Sequence, residues 1–135
     1  MSKKLLANRI TNVPGASNVF VAGYVCYANQ AKIDMLDVDP KLIEKHGAVS
    51  EPVARALAEH ARTCARSTYA LATTGIAGPT GGFHDKPVGT IYVALAGPDE
   101  TMATKLFFPS DRETFKQLAA QAAFELLRRK LITGA

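Results

Sequence analysis

The fold follows from residues 90–113, TIYVALAGPDETMATKLFFPSDRE. This stretch holds two apolar runs, residues 90–96 and 102–108, and then Ser110-Asp111-Arg112-Glu113, which has the pattern of a helix capping box. Another apolar run, residues 69–74, precedes it. Short apolar runs between turn residues predict strands, and the capping box predicts that a helix begins behind the last of them.

The predicted C-terminal helix has an apolar face and a basic end. Its apolar stripe consists of Phe115, Leu118, Ala122 and Leu126. Arg128-Arg129-Lys130 closes it, where cations complement the helix macrodipole without any ligand.

The N-terminal half combines one apolar run with several helix signals. Residues 3–11 predict a short helix, followed by turn residues. Residues 19–28, VFVAGYVCYA, are continuously apolar and predict a strand buried on both faces. Three predicted helices follow. The first covers residues 30–36 and is capped by Asn29, and the second is opened by Asp39-Pro40 and ended by Gly47. The third is capped by Ser50, continues to about residue 65 and buries Val53, Leu57, Ala61 and Cys64.

The predicted order of elements is α-β-α-α-α-β-β-β-α, which indicates an α/β layered domain with helices covering the sheet. We expect residues 1–135 to form a single domain, because 135 residues amount to one domain's worth of chain. The chain is 47% hydrophobic and 21% charged, a globular composition that excludes disorder and fibrous repeats.

Several functional classes are disfavoured by composition. No apolar stretch reaches the roughly 18 residues that a membrane span needs, and residues 1–9 lack the features of a signal peptide. The net charge of +4 comes from dispersed basic residues, so nucleic-acid binding is not expected. Cys26 and Cys64 have no metal or redox spacing, and we interpret them as reduced core cysteines of a cytoplasmic protein.

A glycine-rich loop follows the predicted strand at residues 69–74, and its sequence from Thr73 is TTGIAGPTGG. Open α/β sheets place ligands at the ends of such strands, and glycines let backbone N–H groups approach an anion. The loop matches neither a P-loop nor a dinucleotide fingerprint. From spacing alone, a structural loop and a phosphate cradle are equally favoured.

Tyr27 and Lys32 lie at the end of the first predicted strand, where they could meet this loop. A lysine against apolar strands can lose its proton and act as a base, although composition alone favours an exposed lysine in the first turn of a helix. His46, His60 and His84 have no second ligand at a fixed spacing, so we expect no metal site.

The whole pattern resembles one known family, the C-terminal domain of the competence/damage-inducible protein CinA, also found as a stand-alone nicotinamide-nucleotide amidohydrolase. The stretches that carry the resemblance occur in the family's order and cover nearly the whole chain. They are residues 11–17 (TNVPGAS), 27–32 (YANQAK), 46–51 (HGAVSE), 74–79 (TGIAGP), 86–90 (KPVGT) and 108–112 (FPSDR).

The resemblance implies a three-layer α/β/α sandwich with a mixed sheet. It also implies hydrolysis of the carboxamide of nicotinamide mononucleotide to nicotinate mononucleotide and ammonia, a step in pyridine-nucleotide recycling. The implied partners are a small-molecule nucleotide substrate and further copies of the chain, since family members commonly form homo-oligomers. No cofactor and no metal are implied.

The resemblance also assigns roles to residues. Lys32 would act as general base or proton shuttle, with Tyr27 and Thr74 as the other catalytic residues. Arg112 would contact the phosphate from a helix N-terminus, where anions are favoured. The remaining substrate-binding candidates are Asn29, Thr73, Gly75, Ile76, Ala77 and Gly78.

One departure from the family concerns the nucleophile. The family's nucleophilic serine lies in a Glu-Ser-Cys-Thr-Gly-Gly motif, and a gapless alignment puts Met1 on its cysteine and Ser2 on its threonine. The serine and the family's first helix and strand would then precede residue 1. The chain would be a fragment with an active parent, a shortened homologue that has kept the pocket and lost the reaction, or an enzyme in which Ser2 replaces the serine. The third is disfavoured because Ser2 is followed by lysines and lies at a terminus, where chains fray.

A missing strand would leave a neighbouring strand with unpaired backbone groups. We therefore expect a partner subunit or a rearranged N-terminus to cover that edge.

Two functions stay open: an amidohydrolase acting on nicotinamide mononucleotide, and a catalytically inactive nucleotide-binding or assembly module on the same fold.

Overall fold

The protein is described by a computed structural model that covers residues 2–133, with side chains from residue 5 onward. Five α-helices, one 3-10 helix and three strands make up this part of the chain. In chain order they are α1 (Ser2–Thr11), the 3-10 helix (Ala16–Asn18), α2 (Asn29–Leu36), α3 (Pro40–His46), α4 (Glu51–Ala65), β1 (Ala70–Gly75), β2 (Thr90–Ala96), β3 (Thr101–Phe107) and α5 (Arg112–Thr133).

The three strands form one sheet in the order β1-β2-β3. Both pairings are antiparallel, with Thr73 opposite Val93 and Val93 opposite Thr104. The expected mixed sheet is therefore wrong for the described residues, where consecutive strands pair as hairpin neighbours. β2 is central and every one of its residues is buried, which explains its continuous apolar sequence.

Helices cover both faces of the sheet, as the α/β/α prediction requires. On one face, α2, α3 and α4 pack in a cluster with Tyr92 and Ala94 of β2. On the other face, α1 and α5 pack in a cluster with Ile91 and Val93. Alternate residues of a strand point to opposite faces, so β2 supplies both clusters. Leu6 of α1 joins the second cluster, so the N-terminal helix lies against α5.

The predicted strand at residues 19–28 does not form. Residues 20–27 belong to no helix or strand, and within the described part of the chain no main-chain N–H of residues 21–27 donates to a main-chain carbonyl. Val19 and Val21 are 78% and 61% exposed, whereas Cys26 is buried. A strand needs a partner along its backbone, and the described chain offers this segment none. We call residues 19–27 the open segment.

Several local predictions also need correction. Cys64 is exposed rather than buried. Leu118 of the predicted α5 stripe is 38% exposed, because α5 buries Ala119, Ala120 and Ala123 alongside the predicted Phe115. Asn29 is the first residue of α2 rather than its cap.

The cap of α5 is shifted by one residue from the predicted capping box. Asp111, not Ser110, accepts the helix N–H bond, from Thr114 at 3.0 Å. The Thr114 hydroxyl also donates to Asp111, at 2.6 Å. These bonds, the hydroxyl bond first, hold the pKa of Asp111 below its ordinary value.

Candidate active site

A pocket opens at the end of β1, between the start of α2 and the first turns of α5. Its wall combines two lysines, two threonines and apolar groups. The lining residues are Cys26, Tyr27, Lys32, Thr73, Thr74, Gly75, Ala77, Ile91, Phe115, Lys116 and Ala119. The structure therefore brings the Tyr27–Lys32 stretch and the glycine loop together, as the sequence predicted.

Lys32 is the most unusual group of this pocket. Its residue is only 5% exposed, and its Nζ donates to the carbonyl oxygens of Cys26 at 3.1 Å and Tyr27 at 3.3 Å. Desolvation lowers the pKa of Lys32, and the nearby Cys26 thiol offsets only part of this effect. Either protonation state of the amine can donate both bonds, and burial makes its charged form less favourable than it is in water. The prediction from composition, a solvent-exposed Lys32, is therefore wrong.

The α2 helix positions Lys32. Its N-terminus follows Ala28 in extended conformation, and Asp37 in a left-handed conformation ends it. Lys32 stands one turn into this helix and reaches back over the chain that precedes it. The two carbonyls it binds belong to the open segment, so the lysine side chain holds that segment against the pocket.

Thr74 and Tyr27 contact the pocket in different ways. The Thr74 hydroxyl donates to the carbonyl oxygen of Ala48 at 2.8 Å, which ties β1 to the connection between α3 and α4. In this rotamer the hydroxyl offers lone pairs to a ligand rather than its proton. Tyr27 is 67% exposed, so its ring stands at the mouth of the pocket.

Gly75 is needed where β1 enters the loop. A Cβ at this position would lie 2.9 Å from the carbonyl oxygen of Thr90 and 3.0 Å from the Phe115 ring. The absence of a side chain lets β1 and α5 approach at the pocket floor. Packing alone therefore explains why this position is a glycine, without a bound phosphate.

The rest of the glycine loop is held by hydrogen bonds within the loop and to neighbouring elements. The Ile76 N–H donates to Thr90 O at 2.9 Å, and the Gly89 N–H donates to Ile76 O at 2.8 Å. Arg112 Nη1 donates to Gly78 O at 3.0 Å. Lys86 Nζ donates to His46 O at 2.5 Å. Of the two interpretations left open by the spacing, these bonds favour a structural loop.

Four predicted substrate-binding residues do not line the pocket among the described residues: Asn29, Ile76, Gly78 and Arg112. Asn29 is exposed at the start of α2, and Ile76 and Gly78 are buried in the loop. Arg112 is exposed and holds the loop through Gly78. The helix start therefore brings Arg112 beside the pocket without placing it in the lining.

Sequence reasoning missed five lining residues as parts of the site: Cys26, Ile91, Phe115, Lys116 and Ala119. Of these, the sequence predicts Cys26 and Phe115 only as core residues. Lys116 could have been found from its position, because it stands one helical turn after Arg112 and next to a buried aromatic residue. No comparable signal distinguishes Ile91 or Ala119 from ordinary core residues.

No cluster of three metal-ligating side chains occurs among the described residues. No described helix is long and apolar enough to cross a membrane. The departure from the family motif concerns Met1 and Ser2. Met1 and the side chain of Ser2 lie outside the described residues.

Fold and pocket together define an α/β domain with a lysine-lined pocket at the end of an edge strand. A family model for the CinA C-terminal domain matches residues 4–131. The chain belongs to the CinA C-terminal domain family.

Two curated relatives have the same description, CinA-like protein. One, from Anaeromyxobacter sp. (strain Fw109-5), is 55% identical over 127 residues, which are 94% of this chain and 31% of that protein. The other, from Koribacter versatilis (strain Ellin345), is 50% identical over 128 residues, which are 95% of this chain and 31% of that protein. The chain thus spans 31% of the length of these relatives.

Solved structures match more completely. The competence/damage inducible protein CihA from Agrobacterium tumefaciens is 33% identical with a TM-score of 0.92, over 95% of this chain and 79% of that one. A competence-damaged protein (CinA) superfamily protein from Escherichia coli is 31% identical with a TM-score of 0.89, over 93% of this chain and 73% of that one. The likeness confirms the predicted family and fold class.

Proposed function

We propose that this domain hydrolyses the carboxamide of nicotinamide mononucleotide to nicotinate mononucleotide and ammonia. The observation that carries the proposal is the state of Lys32: a buried amine held by two carbonyls at the wall of a pocket, with a lowered pKa. The substrate itself comes from the family resemblance. The proposal includes a cytoplasmic location and a homo-oligomer, with no cofactor and no nucleic-acid or membrane partner.

The chemistry requires a base that changes its protonation state during the reaction. An attacking oxygen, from a water molecule or a serine hydroxyl, gives its proton to Lys32 Nζ as it bonds to the carboxamide carbon. Lys32 returns that proton to the amide nitrogen when the C–N bond breaks and ammonia leaves. When the attacking oxygen belongs to a serine, this step leaves an acyl ester, which a water molecule then hydrolyses to nicotinate mononucleotide and free serine. A lysine with an ordinary pKa near 10.4 is protonated at neutral pH and cannot accept a proton, so lowering its pKa is a requirement for this role.

Aromatic side chains at the pocket support the binding of a flat ring. Tyr27 stands exposed at its mouth and Phe115 lies in its wall, and aromatic rings stack on one another. Thr74 would accept a hydrogen bond from the carboxamide N–H₂ in its present rotamer. Rotation of its hydroxyl away from Ala48 would allow it to donate to the developing oxyanion.

A second candidate function is a catalytically inactive nucleotide-binding or assembly module. Two observations favour it: none of the lining residues in the described part of the chain is a serine, and the Thr74 hydroxyl proton is engaged by Ala48. In that case the pocket would bind a nucleotide without cleaving it.

Ammonia release from nicotinamide mononucleotide by the purified chain separates the two functions. The enzyme hypothesis predicts release by the wild type and its loss in Lys32→Ala. Lys41→Ala, an exposed lysine on α3, is the matched control and should keep the activity. No release, together with a rise in Tm on adding the nucleotide, would support the binding module and overturn the enzyme.

A further inference from the structure

The chain between α3 and α4 is tied to its surroundings through its main-chain carbonyls. We call residues 46–50 the α3–α4 connection. Three successive carbonyls of this connection each accept a hydrogen bond from a side chain, and the donors lie in three different parts of the fold. The three bonds run from Lys86 Nζ to His46 O, from Ser50 Oγ to Gly47 O at 2.7 Å, and from Thr74 Oγ1 to Ala48 O at 2.8 Å. The α3–α4 connection therefore joins the glycine loop to the end of β1.

Lys86 caps the end of a helix from a distant part of the sequence. Its amine donates to the carbonyl of His46, the last residue of α3, where a cation is favoured because the final carbonyls of a helix have no partner within it. Gly47 follows with a φ of 81°, and a Cβ there would lie 3.3 Å from Lys86 Nζ. The glycine supplies both the turn and the room for the amine.

The backbone that carries Lys86 is itself held in a tight turn. The N–H of Phe83 donates to Lys86 O at 2.8 Å, and the N–H of Lys86 donates to Phe83 O at 3.2 Å. Residues 83–85 are exposed at the tip of this turn, whereas Lys86 is half-buried. The amine therefore reaches His46 from a fixed position, and its bond holds the α3–α4 connection in one place.

The place of Ala48 decides where the Thr74 hydroxyl points. Thr74 is 8% exposed, and its hydroxyl proton is taken by Ala48 O. Ala48 lies two residues after the carbonyl that Lys86 holds, and the buried Ser50 side chain braces the turn beside it. A shift of the α3–α4 connection would therefore move Ala48 O and turn the Thr74 hydroxyl.

We propose that Lys86 is a positioning residue that fixes the Thr74 hydroxyl through the α3–α4 connection. The inference rests on the proposed function, in which Thr74 contacts the carboxamide and the developing oxyanion. Lys86 does not belong to the described lining of the pocket, so its loss would leave the lining side chains in place and misplace one hydroxyl at the reacting group. The effect falls on kcat rather than on KM.

The kinetic test measures ammonia release from nicotinamide mononucleotide. We expect Lys86→Met to lower kcat about 10- to 100-fold and to change KM by less than about twofold. Lys86→Arg should recover most of kcat, because a guanidinium can also donate to His46 O. Lys45→Met is the matched control, since Lys45 is an exposed cation in the last turn of the same helix. A wild-type kcat in Lys86→Met, or an equal fall in Lys45→Met, would overturn the inference.

A double-mutant cycle tests the same link without catalysis. Thr74→Val removes the hydroxyl and keeps the shape of the side chain, and Lys86→Met removes the amine. The two side chains bind different carbonyls, so independent sites would give additive losses in the free energy of unfolding. We expect Thr74→Val to cost less in the Lys86→Met chain than in the wild type, and the same in Lys45→Met as in the wild type. Additive losses for Thr74→Val and Lys86→Met would overturn the inference.

The two tests separate this inference from the proposed function. A wild type that releases no ammonia, together with a non-additive cycle, would refute the enzyme and support the link between Lys86 and Thr74. Ammonia release by the wild type, with an additive cycle and an unchanged kcat in Lys86→Met, would support the enzyme and overturn the link.

Discussion

The Nζ of Lys32 lies 3.1 Å from the carbonyl oxygen of Cys26 and donates a hydrogen bond to it. This contact joins a buried amine to the open segment. Together with the burial of Leu36 in the core, it holds the eight-residue helix α2 at the pocket. It also means that the charge of Lys32 affects both the chemistry of the pocket and the stability of the fold.

The pKa of Lys32 predicts a pH-dependent stability. The folded pKa lies below the ordinary value of 10.5, so the unfolded chain binds more protons between the two values, and the free energy of unfolding rises with pH in that range. The slope from one such group is at most about 1.4 kcal/mol per pH unit. Chemical unfolding of the wild type from about pH 7 to about pH 10 should show a rise that Lys32→Met lacks.

Lys41→Met is the control for that experiment, since Lys41 is exposed on α3. Its stability should follow the wild type at every pH, because both chains keep Lys32. A Lys32→Met chain with the same pH slope as the wild type would show that the amine keeps its ordinary pKa.

The close approach at Gly75 predicts a large cost for adding a methyl group. The new Cβ would meet the backbone oxygen of Thr90 and the Phe115 ring, neither of which can move away alone. We expect Gly75→Ala to lower the free energy of unfolding by about 1–3 kcal/mol. Gly23→Ala is the control: its Cβ would find ordinary contacts at 3.4 and 3.6 Å, so its effect should stay within about 1 kcal/mol. Equal effects of the two variants would contradict the packing at the pocket floor.

The cap of α5 can be assigned by two substitutions. Asp111→Ala removes the acceptor for the Thr114 N–H and should lower the Tm. Ser110→Ala removes only a long 3.4 Å contact with Asp111 and should leave the Tm unchanged. A larger loss in Ser110→Ala would restore the capping box that the sequence predicted.

The open segment predicts self-association. Between Arg9 and Lys32 the chain carries no charged residue, and an exposed, unpaired apolar segment favours pairing with another chain. Light scattering over a range of protein concentrations should find an oligomer for the wild type. The double variant Val19→Lys, Val21→Lys should shift the oligomer toward monomer, because each new lysine would have to lose its hydration in the contact or would repel the same lysine of the second chain.

Leu131→Lys, at an exposed apolar position near the end of α5, controls for a general effect of added charge and should keep the oligomer. A well-folded monomer in the wild type at all concentrations would contradict the expectation that a second copy covers the open segment.

The sequence correctly predicted those helices and strands whose buried faces show up as a regular pattern of apolar residues. The continuous run of β2 and the apolar face of α4 around Val53 and Leu57 were found because their periodicity reflects which faces are covered. Residues 19–28 have the same kind of run, yet they form no strand. Strand formation depends on a neighbour in space, and composition does not report whether that neighbour exists.

The position of the site was predicted partly for a wrong reason, because Tyr27 and Lys32 were expected at the end of a strand that does not form. Tyr27, Lys32 and Thr74 meet because the chain before α2 and the end of β1 converge. The burial of Lys32 was not predictable from its helix position, since it depends on two carbonyls that reach it only in the folded chain. Lys116 and Arg112 differ for a similar reason: residues one turn apart on a helix share a face, but the position of Gly78 engages only Arg112.

We propose that the Lys32 pocket hydrolyses a mononucleotide carboxamide. The most direct measurement is mass spectrometry of nicotinamide mononucleotide incubated with the wild-type chain in water labelled with heavy oxygen. We expect nicotinate mononucleotide carrying one heavy oxygen atom in its carboxylate, formed by the wild type and by Lys41→Ala but not by Lys32→Ala. Unchanged substrate in the wild-type reaction, or labelled product formed equally by Lys32→Ala, would contradict the claim.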